Sequence, residues 1–133
     1  MKLTGRMIYP GSVRGEALVS QKGISFYGGV DPKTGVITES GHDLQGQSIT
    51  GKVLVFPSGK GSTVGSYILY RLMKNSKAPL AIINADCETI IAVGCIIAEI
   101  PCVDQINIDQ LESGMALIVQ ADNGLVMSEN DDF

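Results

Sequence analysis

Residues 52–103 read KVLVFPSGKGSTVGSYILYRLMKNSKAPLAIINADCETIIAVGCIIAEIPCV, and in this run short apolar segments alternate with longer amphipathic ones. The apolar segments at 52–56, at 81–83 and from residue 102 have the length of buried strands. Between them, the spacing predicts one helix from Ser62 or Thr63 to about Asn75 and another from Glu88 to about Ala98. Because strands that alternate with helices favour parallel pairing, we predict a parallel unit here.

Both predicted helices carry apolar residues at helical spacing, which marks the face that packs inward. On the first helix these residues are Val64, Ile68, Leu69 and Leu72. On the second they are Ile90, Ile91, Gly94 and Ile97, with Gly94 allowing a neighbour to approach closely.

The segments on either side of this unit are predicted to be β-rich. The run Asp31–Gly35 has the composition of a tight turn. Near the end, Asp122-Asn123-Gly124 between two apolar stretches is typical of a hairpin with a two-residue turn. The fold class is therefore α/β, with a mixed or barrel-like sheet and two main helices. The outer strands are predicted at Leu3–Tyr9, Glu16–Ser20, Ile24–Tyr27, Met115–Gln120 and Leu125–Ser128.

Length and composition exclude several classes of protein. The 133 residues fit one domain, 1–133, whose acidic tail at 129–133 is expected to be frayed. Ten Lys and Arg against 14 Asp and Glu give a net charge of −4, without the basic stripe of a nucleic-acid binder. The longest apolar-rich stretch, Ile90–Ile100, is shorter than the about 20 residues that span a bilayer. With no signal peptide at the start, we expect a cytoplasmic protein that binds neither nucleic acid nor membrane.

Three cysteines, at Cys87, Cys95 and Cys102, form an odd set that is expected to be reduced. Their spacings of eight and seven residues do not match a Cys-x-x-Cys metal motif. We therefore interpret them as small buried apolar residues and assign no metal to them.

The residues best suited to chemistry lie in the loop 57–63, PSGKGST, between a buried strand and a helix. Backbone N–H groups and the helix dipole favour an anion at such a position. Gly59 and Gly61 would let a ligand approach the backbone. Lys60 adds a positive charge, and Ser62 and Thr63 add hydroxyls. The spacing matches neither the P-loop nor the dinucleotide fingerprint, so the prediction is an anion-binding loop; the alternative is that Ser62 only caps the helix.

His42 is the single histidine of the chain, in the loop-like run Gly41-His42-Asp43. We expect its ring to be solvated or bonded within a turn, and a phosphocarrier role is the weaker alternative. Besides His42, the chain has no histidine that could complete a Ser–His–Asp relay with Ser62. We therefore exclude a hydrolase triad in this chain. Arg14 and Glu16 are interpreted as surface ion-pairing residues.

Five motifs stand in order along the chain. They are residues 15–20, GEALVS; residues 24–32, ISFYGGVDP, with Thr34-Gly35 after them; the loop 57–63; Ala78-Pro79; and residues 98–101, AEIP. Together they resemble the small subunit of the aconitase X family, over roughly residues 5–128. The resemblance implies the swivelling β/β/α domain of aconitase-type dehydratases.

The resemblance also implies a two-subunit enzyme, inactive without its partner. In this family a separate large subunit carries a 4Fe-4S cluster and most of the substrate pocket, and the small subunit binds no cofactor. The chain is most similar to archaeal members that remove water from (R)-5-phosphomevalonate, a phosphorylated hydroxy acid, to give trans-anhydromevalonate 5-phosphate in a mevalonate pathway. The alternative in the same family is dehydration of cis-3-hydroxy-L-proline; the alternative outside it is an anion-binding or phosphocarrier module.

The family's catalytic serine falls on Ser62, whose implied role is that of general base. It would take the proton from the carbon next to the substrate carboxylate. Gly59, Lys60, Gly61 and Thr63 are the implied substrate-binding residues around it. Aconitases proper carry an arginine near this serine, whereas this chain has Lys60, which lacks the bidentate fork that suits a carboxylate.

Overall fold

The computed structural model describes residues 1–129, which form a mixed β-sheet with helices packed on one side. The strands are β1 (Lys2–Thr4), β2 (Arg6–Tyr9), β3 (Ser12–Val19), β4 (Val53–Phe56), β5 (Ala81–Asn84), β6 (Cys102–Asp104), β7 (Ala116–Gln120) and β8 (Leu125–Ser128). The helices are the short α1 (Phe26–Gly29) and the two longer ones, α2 (Gly65–Lys74) and α3 (Thr89–Ala98). The predicted α/β class with two main helices is confirmed.

The strands follow the order β1-β8-β7-β3-β4-β5-β6-β2. Strands β4, β5 and β6 are parallel, as predicted. The second half of β3 also pairs parallel with β4, although the sequence analysis placed this segment among the outer strands. The remaining pairings are antiparallel. Strand β3 pairs with β7 through its first half and with β4 through its second half. The end strands β1 and β2 are separated by Gly5 alone, so the sheet curls round on itself as a barrel-like layer.

Two apolar cores lie on opposite faces of the central strands. In β4, Val53 and Val55 belong to the core enclosed by the sheet, whereas Leu54 and Phe56 belong to the core beneath α2 and α3. Because both faces of β4 and β5 are buried, their sequences are continuous apolar runs rather than alternating ones. The result is a β/β/α arrangement of three layers.

Helices α2 and α3 pack closely because Gly94 has no side chain. A Cβ at this position would collide with Leu69 of α2 and would come within 3.2 Å of the Cα of Ser66. The inward residues Ile68, Leu69 and Leu72 are buried as predicted, whereas Val64 is exposed. On α3 the inward orientation predicted for Ile97 is wrong, since this side chain is 46% exposed.

Three predictions about the outer segments need correction. The strand predicted over Ile24–Tyr27 is wrong: Ile24 makes an isolated bridge to Gly59, and α1 follows. The strand predicted over Leu3–Tyr9 is divided at Gly5, where a Cβ would collide with the carbonyl of Asp104. The last hairpin exists, but a 3-10 turn over Ala121–Asn123 connects its strands in place of a two-residue turn.

The tight turn at Asp31–Gly35 is confirmed, with the Gly35 N–H donating to the Asp31 carbonyl at 2.8 Å. The surface ion pairs expected for Arg14 and Glu16 are present, with Glu129 and Lys52 respectively. Of the acidic tail predicted to be frayed, residues 130–133 lie outside the described residues. Within residues 1–129, no helix is both long and apolar enough to cross a membrane.

Candidate active site

The loop 57–64 leaves the carboxyl end of β4 and is held in place by residue 24. The Ile24 N–H donates to the Ser58 carbonyl at 3.3 Å, and the Lys60 N–H donates to the Ile24 carbonyl at 3.1 Å. The loop therefore emerges at the edge of the sheet where α/β proteins bind their ligands, with its backbone fixed on one side.

The two glycines of the loop let it pack closely against neighbouring elements. A Cβ at Gly59 would collide with Ile91 of α3. Gly61 has φ +90°, and a Cβ there would collide with the Ser25 hydroxyl. Only glycine combines this backbone conformation with such close contacts. Both glycines thus have a packing role, and the role of admitting a ligand stays a prediction.

Ser62 lies just before α2 and is half-buried. Its Oγ accepts a hydrogen bond from the Val64 N–H at 3.1 Å, and its carbonyl accepts from the Gly65 N–H at 3.0 Å. The prediction that Ser62 or Thr63 is the N-cap is wrong, because the helix begins at Gly65 and the capping position is Val64. An extra turn, held by these bonds, separates Ser62 from the helix proper.

Three consecutive N–H groups of the loop are available to a ligand. Those of Gly61, Ser62 and Thr63 have no hydrogen-bond acceptor within residues 1–129. The N–H groups of Ser66 and Tyr67, in contrast, already donate to carbonyls of the turn before them. Successive unpaired N–H groups in a turn form a site for an anion. The loop, rather than the first turn of the helix, therefore supplies the donors expected from the sequence.

Lys60 directs its positive charge towards Glu39, which the sequence analysis did not single out. Its Nζ donates to Glu39 Oε2 at 3.0 Å, with half of the Lys60 side chain still exposed. The stem of Lys60 passes close to Gly23. Thr63 is exposed, and its carbonyl accepts from the N–H and the hydroxyl of Ser66. The positive charge of the loop is thus balanced before any ligand binds.

Glu88 is a second acidic residue that the sequence analysis did not assign to the site. Its Oε1 caps α3 by accepting from the Ile90 N–H at 2.9 Å. Its Oε2 is buried and has no hydrogen-bond partner among the described residues. This oxygen would lie 3.4 Å from a Cβ placed on Gly59. The position of Glu88 directly before an apolar helical segment could have predicted that it caps α3.

His42 is buried, with 5% of its surface exposed, so the prediction of a solvated ring is wrong. The alternative, a ring bonded within a turn, is confirmed by the Leu44 N–H, which donates to Nδ1 at 3.0 Å. The tautomer with its proton on Nε2 fits this bond and lets Nε2 donate to the carbonyl of Gly23 at 3.2 Å. Asp43 Oδ1 lies 3.0 Å from the same Nδ1. Both ring nitrogens are engaged, and the bond to Gly23 braces the segment beside the loop.

The cysteines do not fit a metal or an iron–sulfur cluster. Cys95 and Cys102 are buried, and residues 1–129 contain no group of three His, Cys, Asp or Glu side chains arranged to hold a metal ion. The hydrogen bond with Cys102, together with burial, raises the pKa of the Cys87 thiol. A bond from Cys87 lowers the pKa of Cys102, but the bond with Cys95 and burial outweigh this effect. The pKa of the Cys102 thiol is therefore raised overall. Burial and the contacts among these cysteines thus disfavour the thiolate form.

Comparison with known proteins places this geometry in a family. The family model of the aconitase X swivel domain matches residues 2–128. A chain from Thermococcus onnurineus, named phosphomevalonate dehydratase small subunit, is 59% identical over 97% of this chain and 99% of its own. The crystal structure of Thermococcus kodakaraensis aconitase X in its holo form has a TM-score of 0.95 and 55% identity, covering 96% of this chain and 98% of its own.

The solution NMR structure of a UPF0107 protein has a TM-score of 0.88 and 47% identity, over 96% of this chain and 98% of its own. The same three-layer fold is therefore shared by related chains along nearly their whole length. The resemblance seen in the sequence is confirmed, and the chain belongs to the aconitase X family, as a swivel domain.

Proposed function

We propose that this chain is the small subunit of phosphomevalonate dehydratase. This hydro-lyase removes water from (R)-5-phosphomevalonate and gives trans-anhydromevalonate 5-phosphate. The observation that carries the proposal is the 59% identity, over nearly the full length of both chains, to a protein of that name. The unpaired N–H groups beside Ser62 support it, since the substrate carries both a carboxylate and a phosphate.

Ser62 is the proposed general base, which takes the proton from the carbon next to the substrate carboxylate. A serine hydroxyl becomes a base only if the alkoxide is stabilised. The Val64 N–H already donates to Oγ at 3.1 Å, and a donor of this kind binds an oxyanion more strongly than a neutral hydroxyl. The remaining donors, on Gly61, Ser62 and Thr63, are proposed to hold an anionic group of the substrate next to the base.

Lys60 is proposed to contribute a positive charge to the substrate anion after exchange of its present partner. Its ammonium is bound by Glu39 at 3.0 Å but stays half exposed, so an incoming anion can reach it from the solvent side. Gly59 is proposed to contribute through its conformation, since it seats the loop against Ile91. The loop thus offers the substrate anion uncharged N–H donors that are unpaired, and one ammonium group that is shared with Glu39.

The proposed partner is a large subunit, as the name of the relative implies. In the proposed enzyme it carries a 4Fe-4S cluster, which would act as the Lewis acid for the departing hydroxyl. Residues 1–129 contain no group of side chains arranged to hold such a cluster, so in the proposed division of labour this chain removes the proton and holds the anion. Neither subunit alone would then be active.

The other functions weighed from the sequence have less support. Nothing in the loop specifically favours the cyclic substrate cis-3-hydroxy-L-proline, and the 59% identical relative carries the other name. A phosphocarrier would need an accessible histidine nitrogen, whereas both nitrogens of His42 are hydrogen-bonded and the ring is buried. Ser62 as a structural residue alone would predict a loss of stability of about 1 kcal/mol in Ser62→Ala and no loss of turnover.

The test is anaerobic reconstitution with the large subunit, followed by assays of water removal from 5-phosphomevalonate and from cis-3-hydroxy-L-proline. Ser62→Ala is expected to lower kcat on 5-phosphomevalonate by about 10²–10⁴-fold, the usual contribution of a positioned base. Ser58→Ala is the matched control from the same loop, and it should retain activity. Turnover of hydroxyproline instead would overturn the substrate, and an active Ser62→Ala would overturn the base.

A further inference from the structure

Ser25 places a second hydroxyl beside the loop that carries Ser62. The residue before it, Ile24, forms an isolated bridge to Gly59, which brings this part of the chain alongside the loop. Ser25 then lies against Gly61, since a Cβ on this glycine would collide with the Ser25 Oγ and would come within 3.1 Å of the Ser25 Cβ. The hydroxyl therefore borders the backbone of Gly61, whose N–H has no acceptor in the described part of the chain.

The hydroxyl of Ser25 is free to turn towards a ligand. Within residues 1–129 its one hydrogen bond is to the carbonyl of Tyr27, to which it donates at 3.0 Å in an exposed position. Ser25 precedes α1, but its side chain does not cap that helix. Because a hydroxyl rotates to suit its partner, the donor can leave this carbonyl for a ligand oxygen. Tyr27 is 55% exposed, so water can replace the hydroxyl there.

A substrate carboxylate needs more donors than the loop supplies. Its two oxygens can accept about four hydrogen bonds, whereas residues 61–63 offer three N–H groups. The ammonium of Lys60 is already paired with Glu39 at 3.0 Å, and it lacks the planar fork with which an arginine binds a carboxylate. Ser25 supplies an uncharged donor at the edge of the loop, and its use breaks no ion pair.

We propose that Ser25 is a substrate-binding residue, whose hydroxyl donates to the carboxylate that the N–H groups of residues 61–63 hold. This inference rests on the proposed function, in which Ser62 takes the proton from the carbon next to that carboxylate. The contact with Gly61 keeps the Ser25 hydroxyl beside the loop, and the exposed bond to Tyr27 keeps it available until the substrate binds.

The experiment compares three variants of Ser25 in the reconstituted two-subunit enzyme. Ser25→Ala is expected to lower kcat/KM at least about tenfold, as loss of a hydrogen bond to a charged group does. The loss should come mainly through a higher KM, because the carboxylate is charged before the reaction begins. Ser25→Thr keeps a hydroxyl on a backbone whose φ of −98° and ψ of 110° suit a β-branched residue, and it should stay within about twofold of the natural chain.

Ser25→Cys and Thr50→Val are the controls for a purely structural role. Ser25→Cys fills the space beside Gly61 but has only a weak donor, so it should behave like Ser25→Ala. Thr50 donates its hydroxyl to the Lys77 carbonyl at 3.0 Å, at the opposite end of β4 from the loop. Thr50→Val loses the same kind of bond, and its kcat/KM should stay within about twofold of the natural value. Urea denaturation verifies that each variant is folded.

Calorimetry measures substrate binding without turnover. The complex that contains Ser62→Ala is titrated with 5-phosphomevalonate, and the addition of Ser25→Ala should raise the Kd about tenfold. If Ser62→Ala is active, the proposed base fails, whereas a raised KM in Ser25→Ala still supports the binding role. If hydroxyproline is the substrate that reacts, its carboxylate must show the same dependence on Ser25.

Three results would overturn the binding role of Ser25 and leave the proposed function intact. The first is an unchanged kcat/KM and Kd in Ser25→Ala. The second is a natural KM in Ser25→Cys, which would assign Ser25 to packing against Gly61. The third is an equal loss in Thr50→Val, which would mean that any lost hydroxyl bond in the chain has this effect.

Discussion

Lys60 and Glu39, 21 residues apart in the chain, form an ion pair with 3.0 Å between Nζ and Oε2. The pair ties the loop of Ser62 to the segment that follows α1 and balances its positive charge. Because both side chains remain partly exposed, the pair contributes only about 0–1 kcal/mol to stability. Its main effect falls on ligands, since an anion that binds Lys60 must compete with Glu39.

The first prediction therefore concerns Glu39→Gln. Removing the competing carboxylate releases Lys60 and should lower the KM for 5-phosphomevalonate by about fivefold, the effect of about 1 kcal/mol. The free energy of unfolding should change by less than about 1 kcal/mol. Steady-state kinetics of the reconstituted enzyme and urea denaturation measure the two effects. A KM that rises in Glu39→Gln would show that Glu39 positions Lys60 instead of competing for it.

The second prediction compares two glycines with similar backbone conformations, Gly28 at φ +83° and Gly61 at φ +90°. Gly28→Ala has open space for its Cβ, so it should cost only the left-handed strain of about 1 kcal/mol. Gly61→Ala adds a collision with Ser25 and should cost about 2–3 kcal/mol. Urea denaturation gives both costs. Equal losses would mean that Ser25 moves aside freely.

The Gly61 variant has a second, functional readout. The Gly61 N–H is one of the three donors without an acceptor within the described residues. Displacing it should raise the KM of the reconstituted enzyme, whereas Gly28→Ala should leave the KM unchanged. An unaltered KM in Gly61→Ala would argue against these N–H groups as the anion site.

The third prediction concerns stability at acid pH. Burial would raise the pKa of Asp104, but bonds from Arg6 at 2.8 and 2.9 Å and from the Cys87 N–H lower it below its ordinary value of 3.8. The pKa of Asp43 is also lowered, since the bonds from Ser20 and a backbone N–H outweigh burial. The unfolded chain then binds more protons, so stability is full above about pH 5 and is lost as pH falls through the folded pKa values.

Urea denaturation between pH 7 and pH 2 measures this dependence. Arg6→Gln removes the strongest partner of Asp104 while changing a side chain that is mostly exposed. The variant should be less stable at neutral pH, and its stability should vary less with pH in the acid range. Parallel curves for the variant and the natural chain would show that Arg6 does not hold the pKa of Asp104 down.

The fourth prediction concerns His42. His42→Phe leaves the buried Leu44 N–H and the Gly23 carbonyl without partners, which should cost about 1–3 kcal/mol each. His42→Asn can supply an oxygen to the Leu44 N–H and should recover part of this loss. Thermal unfolding measures stability, and kcat per assembled enzyme should stay near that of the natural chain. A phosphorylated His42 in the working enzyme would contradict the structural role.

The central layer could be predicted from sequence because its signals are local. Val53–Phe56 and Ala81–Asn84 are continuous apolar runs, and only burial on both faces of a strand suits such runs. In α2 the positions of Ile68, Leu69 and Leu72 fix which face is buried. The α3 sequence is apolar on every side, so it contains no information about which residues face inward, and the prediction for Ile97 failed.

The sequence predicted the part of the site that lies in one continuous segment, the loop 57–63, and missed the residues that come from elsewhere in the chain. Ser62 and its glycines are consecutive, whereas Glu39 and Glu88 arrive from distant segments that no local pattern links to the loop. Ile24–Tyr27 has the composition of a strand, but the partner available to Ile24 is the loop at Gly59, which allows a single bridge. The chain folds back there because Gly28 adopts a positive φ.

The two ends of the sheet meet through Gly5, where β1 pairs with β8 and β2 pairs with β6. Strand β1 therefore cannot pair until β8 has been synthesised. Met1 lies beside Ser128, and the Ser128 N–H donates to the Met1 carbonyl at 3.2 Å. During synthesis β4, α2, β5, α3 and β6 can associate early, but the barrel closes only after residue 128 has left the ribosome. A chain that ended before β8 would leave β1 without the strand that closes this layer.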